Sequence, residues 1–179
     1  HAKDILFIAV MPERLNRQFQ FEDSLIQHLA EYREALDNQL FLSATRTYLG
    51  NDEKRMFRIQ QLADRFGVPM VATNDIHYHD PSRRELQDIL TCVREKCTIQ
   101  QAGFRLHQNA ERFMKPMDEM HRLFRRYPEA VYNTLRIAEA CNFSLSELRY
   151  EYPEEINRSG RSPLDELEYL TWKGAHTMY

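Results

Sequence analysis

The chain is poor in glycine, cysteine and long apolar runs, and it carries no excess of basic charge. Five glycines in 179 residues exclude a flexible glycine-rich linker, and no glycine-rich phosphate loop is present. Three cysteines, Cys92, Cys97 and Cys141, are an odd count without the short spacing of a zinc knuckle. They exclude a secreted disulfide scaffold, and a reducing cytoplasm is the simplest reading. No run is long or apolar enough to span a membrane, and the opening His1-Ala-Lys-Asp lacks the form of a signal peptide. The net charge of −3 removes an overall basic footprint for nucleic acid, while leaving room for a local basic face or for DNA contact made elsewhere in a longer chain. What is present is ordinary for a globular protein: 42% hydrophobic and 28% charged residues. That length can bury a core without staples. The chain has no initiator methionine and enters an apolar run at residues 5–10, so it reads as a piece of a longer protein.

The hydrophobic pattern then alternates. Residues 5–10, 40–45 and 70–73 read as strands. Between them, residues 21–36 space Leu25, Leu29, Tyr32 and Leu36 as a helix does. A second helix starts at Asn51 or Asp52, turns Met56, Ile59, Ala63 and Phe66 inward, and stops at Gly67 before Pro69. Strand-helix alternation with short connections predicts a parallel sheet covered by helices. After Pro81 the pattern becomes mainly helical. Ser82 can cap a helix with Leu86, Ile89, Leu90 and Val93 inward. A short helix holds Met117, Met120, Leu123 and Phe124, and a longer one Val131, Leu135, Ala138 and Cys141. Met114, Met117 and Met120 read as core filler. Residues 156–162 are the most loop-like, and Ser162-Pro163 with Glu166 reads as a capped helix start.

The candidate chemistry sits just past the third strand, in Asn74-Asp75-Ile76-His77-Tyr78-His79-Asp80. Ligands and catalytic groups of parallel α/β folds collect at the carboxyl ends of strands. Asp and His bind borderline divalent metals and move protons. Asp75 and His77 are therefore the candidate metal ligands, against the plainer reading of a turn-capping aspartate and a locally bonded histidine. Zinc or manganese needs three or more protein ligands. The other histidines are scattered, and the second strand ends Ser43-Ala-Thr-Arg-Thr47 without Glu or His. Basic clusters at Arg83-Arg84, Arg94 with Lys96, and Arg122 with Arg125-Arg126 read as solvated helix faces rather than phosphate sites.

Val71-Ala-Thr-Asn-Asp-Ile-His77 resembles the last metal motif of the polymerase and histidinol phosphatase (PHP) domain of bacterial C-family DNA polymerase alpha subunits. The resemblance continues through Arg84-Glu-Leu-Gln-Asp-Ile-Leu-Thr-Cys-Val-Arg94, Gly103-Phe, Asn109-Ala-Glu-Arg-Phe and Pro128-Glu-Ala with Asn133-Thr-Leu-Arg-Ile-Ala-Glu-Ala-Cys141. Phe143-Ser-Leu-Ser-Glu-Leu-Arg-Tyr-Glu-Tyr-Pro-Glu-Glu155 is similar to the error-prone branch of these enzymes. About half the chain carries the likeness strongly. Residues 1–67 match in the order of strands and helices only.

The resemblance implies an α/β fold: a partial PHP-type βα barrel of parallel strands with covering helices, followed by a mainly helical region. Residues 1–82 would be the back of the barrel, 83–155 the helical region completing the domain, and 156–179 a linker and the start of the polymerase core. The implied parent adds deoxynucleotides to a DNA primer-template in replication or translesion repair, in the cytoplasm, alongside other replication or repair proteins. Its two magnesium ions would be held by palm aspartates beyond Tyr179. An upstream His-x-His pair would precede His1, so zinc or manganese could reach only Asp75 and His77 here. The family's middle motif usually supplies a Glu or His near residues 43–47, and its absence favours a PHP domain that serves as a scaffold. The fragment is then expected to be inactive and structural, and to self-associate through faces left uncovered. The rival readings are a stand-alone metal-dependent PHP phosphatase or nuclease, and a non-catalytic interaction module built on the helices after residue 82.

Overall fold

A computed structural model describes residues 4–149 and 160–178. The described residues fall into two compact units, divided between Asn142 and Phe143. The first unit is α/β. Its strands β1 (Phe7–Ala9), β2 (Leu40–Thr45) and β3 (Met70–Thr73) form one parallel sheet in the order β1-β2-β3. The register pairs Phe7 with Leu40, Leu42 with Met70 and Thr45 with Thr73. Every residue of β2 is buried, as expected for a central parallel strand covered on both faces.

Helix α1 (Asp23–Leu36) joins β1 to β2, and α2 (Asp52–Phe66) joins β2 to β3. On α2, Met56 and Ile59 are fully buried, and Leu62 and Ala63 nearly so. Gly67 ends α2 at φ 62°, in the left-handed region that glycine enters without steric cost. Its N–H and that of Val68 both return to the Ala63 carbonyl, so the chain reverses at once into β3. On α1, Leu25, Ile26, Leu29 and Leu36 pack on the core, while Tyr32 is exposed. The stripe includes Ile26 as well as Leu25, and at the next turn it passes through the half-buried Arg33 where the spacing pointed to Tyr32.

The later helices are α3 (Arg84–Glu95), α4 (Ile99–Ala102), α5 (Met117–Leu123) and α6 (Pro128–Ala140). Here the sequence expectations need correction. Leu86, Ile89, Leu90 and Val93 are 51%, 55%, 54% and 71% exposed, not inward. The buried positions of α3 are Thr91 and Cys92. Periodicity marks an apolar face; it does not supply a partner for it. Asp80, rather than Ser82, caps the turn before α3: its carboxylate accepts the Ser82 N–H at 2.9 Å and the Ser82 hydroxyl at 2.6 Å. Met114 and Met117 are exposed, and only Met120 of that group packs on the core, beside Leu123 and Phe124. In α6, Ala130, Val131 and Asn133 are buried, while Leu135, Ala138 and Cys141 are exposed. Its first half lies on β3, where Asn133 donates to the Met70 carbonyl at 2.7 Å.

The second unit holds a short turn at Leu145–Glu147, opened by a Ser144 capping box, and helix α7 (Pro163–Met178). Ser162 opens α7 through Asp165, whose N–H it accepts at 3.2 Å. Glu166, expected in that role, instead pairs with Arg161 at 2.9 Å. Asp165 stands three residues after the cap, where a side chain can reach back. The expected boundary between residues 155 and 156, and the stretch 150–159, lie outside the described residues.

Leu42 has no exposed surface and sits between helices on the central strand. Leu42→Ala should cost about 2–5 kcal/mol of unfolding free energy, read as a lower urea midpoint at unchanged slope. A loss under about 0.5 kcal/mol would mean that β2 is not the centre of the core.

Candidate functional site

The carboxyl ends of the three strands converge on a network of polar groups. After β1, the Met11 N–H donates to the Ser43 hydroxyl at 3.0 Å, in a buried contact. The Thr45 and Thr73 hydroxyls meet at 2.7 Å across the ends of β2 and β3. Arg55 reaches up from α2, 2% exposed, and donates to the Thr45 carbonyl. Burial pushes its guanidinium below its ordinary value, opposed by the nearby Asp52 and Glu13 carboxylates.

Residues 109–114 lie along the loop after β3 like a strap. The Arg112 carbonyl accepts the His77 N–H at 2.9 Å, and the Phe113 carbonyl accepts the Asn74 side-chain amide at 2.5 Å. The Met114 N–H returns to the Tyr78 carbonyl at 3.1 Å. Asn109 ties the same strap to β2 by donating to the Thr47 carbonyl at 2.8 Å. The strap delivers the Arg112 side chain, only 9% exposed, to the centre of the rim. There it forms ion pairs with Glu13 after β1 and with Asp75 after β3. Asp75 takes φ 43°, a left-handed conformation that Asp tolerates better than most residues.

Asp75 and His77 are brought together, with His77 Nε2 3.7 Å from the Asp75 carboxylate. His77 also meets the His107 ring edge-on, at 4.8 Å between centroids. Burial first, and then His77, hold the His107 pKa below its ordinary 6.5. His79 is exposed. Among the described residues no group of three or more His, Cys, Asp or Glu is placed to hold a metal. A zinc or manganese ion at Asp75 would also meet the Arg112 guanidinium already bound there. By themselves Asp75 and His77 fall short of the three protein ligands that zinc or manganese needs.

A cleft of about 310 Å³ opens beside this network, lined among others by Glu13, Arg14, Thr47, His107 and Arg112. A larger one, about 670 Å³, lies at the opposite end of the sheet, by Leu40, Met70 and Asn133. That end lacks the converging strand termini, so the smaller cleft is the candidate site. The basic clusters are largely satisfied locally. Arg84 donates to the His107 carbonyl at 2.8 Å, Arg122 pairs with Glu119 at 2.7 Å, and Arg126 with Glu53 at 3.2 Å.

Sequence reasoning reached Asp75 and His77 but not Arg112, Glu13, Asn109 or His107. Glu13 and Arg112 stand 99 residues apart, beyond any motif spacing. The one available signal was an arginine inside the irregular Asn109-Ala-Glu-Arg-Phe stretch.

Among known proteins, the chain is 44% identical over all 179 residues to "Error-prone DNA polymerase" of Caulobacter vibrioides, covering 16% of it. It is 42% identical over 158 residues, 88% of the chain, to "Error-prone DNA polymerase 1" of Agrobacterium fabrum, covering 14%. It is 42% identical over 174 residues, 97% of the chain, to "Error-prone DNA polymerase" of a Bradyrhizobium species, also covering 14%. The chain thus spans only about a sixth of the length of these relatives. No protein-family model matches it.

Two outcomes follow from the geometry. In a double-mutant cycle, Asp75→Ala and Arg112→Ala should couple by about 0.5–3 kcal/mol in unfolding free energy; strict additivity would mean that the pair is not formed. Because the folded chain holds the His107 pKa below 6.5, the unfolded chain takes up that proton first. Stability should therefore decline as pH falls below 6.5 and stop declining on this account below the folded-state pKa. Denaturant midpoints measured against pH should show that slope, and His107→Gln should flatten it.

Proposed function

We infer that this chain, which is homologous to a segment of the error-prone DNA polymerases, is a structural piece of such an enzyme in a bacterial C-family alpha-type subunit. The observation that carries the reading is identity of 42–44% over most or all of the chain, to relatives of which it spans 14–16%. Residues 1–82 form the back of a PHP-type βα barrel, residues 83–155 complete that domain, and residues 156–179 begin the polymerase core. The three parallel strands with intervening helices support the barrel assignment.

The parent enzyme binds DNA primer-template and deoxynucleotides and extends the primer in replication and translesion repair. Its magnesium ions lie outside this segment, with the palm aspartates. Within the segment the rim is a scaffold. Arg112 supplies by a tethered side chain the positive charge that a metal would supply to the carboxylates of Glu13 and Asp75. No helix among the described residues is long and apolar enough to cross a membrane. No observation favours a free-standing phosphatase or nuclease, which needs more metal ligands than the rim presents.

The test is a primer-extension assay run on the 179-residue chain and on the uncut gene product. Extension by the long protein and none by the chain is expected; extension by the chain alone would overturn the reading. Zinc, manganese and chelator should each leave the melting temperature of the chain unchanged. A rise of several degrees with one metal, lost in His77→Ala, would instead restore the metal-dependent hydrolase.

A further inference from the structure

Helix α3 ends in a cap that brings two cysteines onto one turn. Lys96 adopts φ 52° and its N–H returns to the Cys92 and Val93 carbonyls. The next N–H, that of Cys97, returns to the Cys92 carbonyl at 3.0 Å. This double return is the Schellman arrangement. In it the residue just past the cap and the residue that accepts its N–H carry side chains that touch, usually as an apolar contact. Here both positions are cysteine. Both side chains line one open apolar groove of about 490 Å³ with Ile89, Val93 and Ile99. Both are free thiols, Cys92 buried and Cys97 half-buried.

We propose that Cys92 and Cys97 are a redox modification site, in which a small peroxide entering this groove converts the thiol pair to a disulfide across the cap of α3. Access sets the order of events. Cys97 is the more exposed and reacts first, while burial, and then Cys97 itself, push the Cys92 thiol above its ordinary value and leave it protonated and inert until its neighbour is oxidised. Cys97 loses its proton and its sulfur attacks the peroxide O–O bond. A sulfenic acid forms, and the departing hydroxide takes the proton as water. Cys92 then loses its proton and its sulfur attacks the Cys97 sulfur. The S–O bond breaks, and the second hydroxide leaves as water. One hydrogen peroxide is reduced to two waters while the two thiols give up two electrons and two protons to become one disulfide. The helix cap does the positioning: it holds both cysteines on one turn before any oxidant arrives.

The experiment uses the 179-residue chain with Cys141→Ser, so that only the pair remains. It is treated with hydrogen peroxide, blocked with iodoacetamide and cut with trypsin. Cleavage after Arg94 and Lys96 separates Cys92 from Cys97 in the sequence, so the two peptides stay joined only through a disulfide. The joined peptide should be the main product, in a protein that runs as a single chain on a denaturing gel without reductant. It should disappear with dithiothreitol and in Cys97→Ser, a variant whose circular dichroism checks that the fold is kept. It should also form about tenfold faster in the native chain than in chain unfolded in urea. Sulfinic or sulfonic acid at Cys97 with Cys92 untouched would overturn the proposal. So would disulfide-linked dimers in place of the internal link, or equal rates in native and unfolded chain.

Discussion

A single guanidinium organises the functional end of this chain. Arg112 is held by a strap whose backbone is stitched to the loop after β3, and its side chain binds carboxylates that follow two different strands. Glu13 and Asp75 carry like charge at the rim of one parallel sheet. Without a cation between them they would repel, and the loops bearing them would lose their reason to converge. A guanidinium meets this need by geometry as well as charge, because its planar fork can serve two acceptors at once and cannot lose its proton. A bound metal could do the same, but it would need ligands that the described residues do not bring there.

The placement of this ion-pair network bears on function. In parallel α/β folds the carboxyl ends of strands are where substrate chemistry is done. Here that position is filled by the protein's own arginine and by hydroxyl pairs such as Thr45 with Thr73. These contacts tie the strand ends to one another, and the proposed scaffold role rests on them. The same economy appears at the other end of the sheet, where Asn133 satisfies a strand carbonyl from a helix instead of leaving it to a ligand.

Two helix ends show how one backbone conformation can serve different purposes. Gly67 and Lys96 both close a helix in the left-handed region. At Gly67 the reversal is followed by Val68 and Pro69, and it feeds β3 directly into the core. At Lys96 the reversal brings two cysteines to the edge of one open groove. Glycine makes the first turn cheap. At the second a lysine accepts the same geometry at some cost, and the paired N–H returns offset it.

The sequence by itself determined the parallel strands, because continuous apolar runs such as 40–45 have no other stable use in a chain of this pattern, and it determined the stop at Gly67. It also placed Asp75 and His77 past a strand end, since that follows from chain order alone. Apart from the helix caps at Ser82 and Glu166, its failures were failures of partnership. The apolar spacing of α3 was read correctly as amphipathic, and wrongly as buried. Spacing describes one surface, whereas burial needs two. Likewise only the tertiary structure could join Glu13, Asp75 and Arg112, or set two cysteines five positions apart in one groove. Local chemistry is written in neighbouring residues, but which charge answers which is set by packing between segments that the sequence keeps far apart.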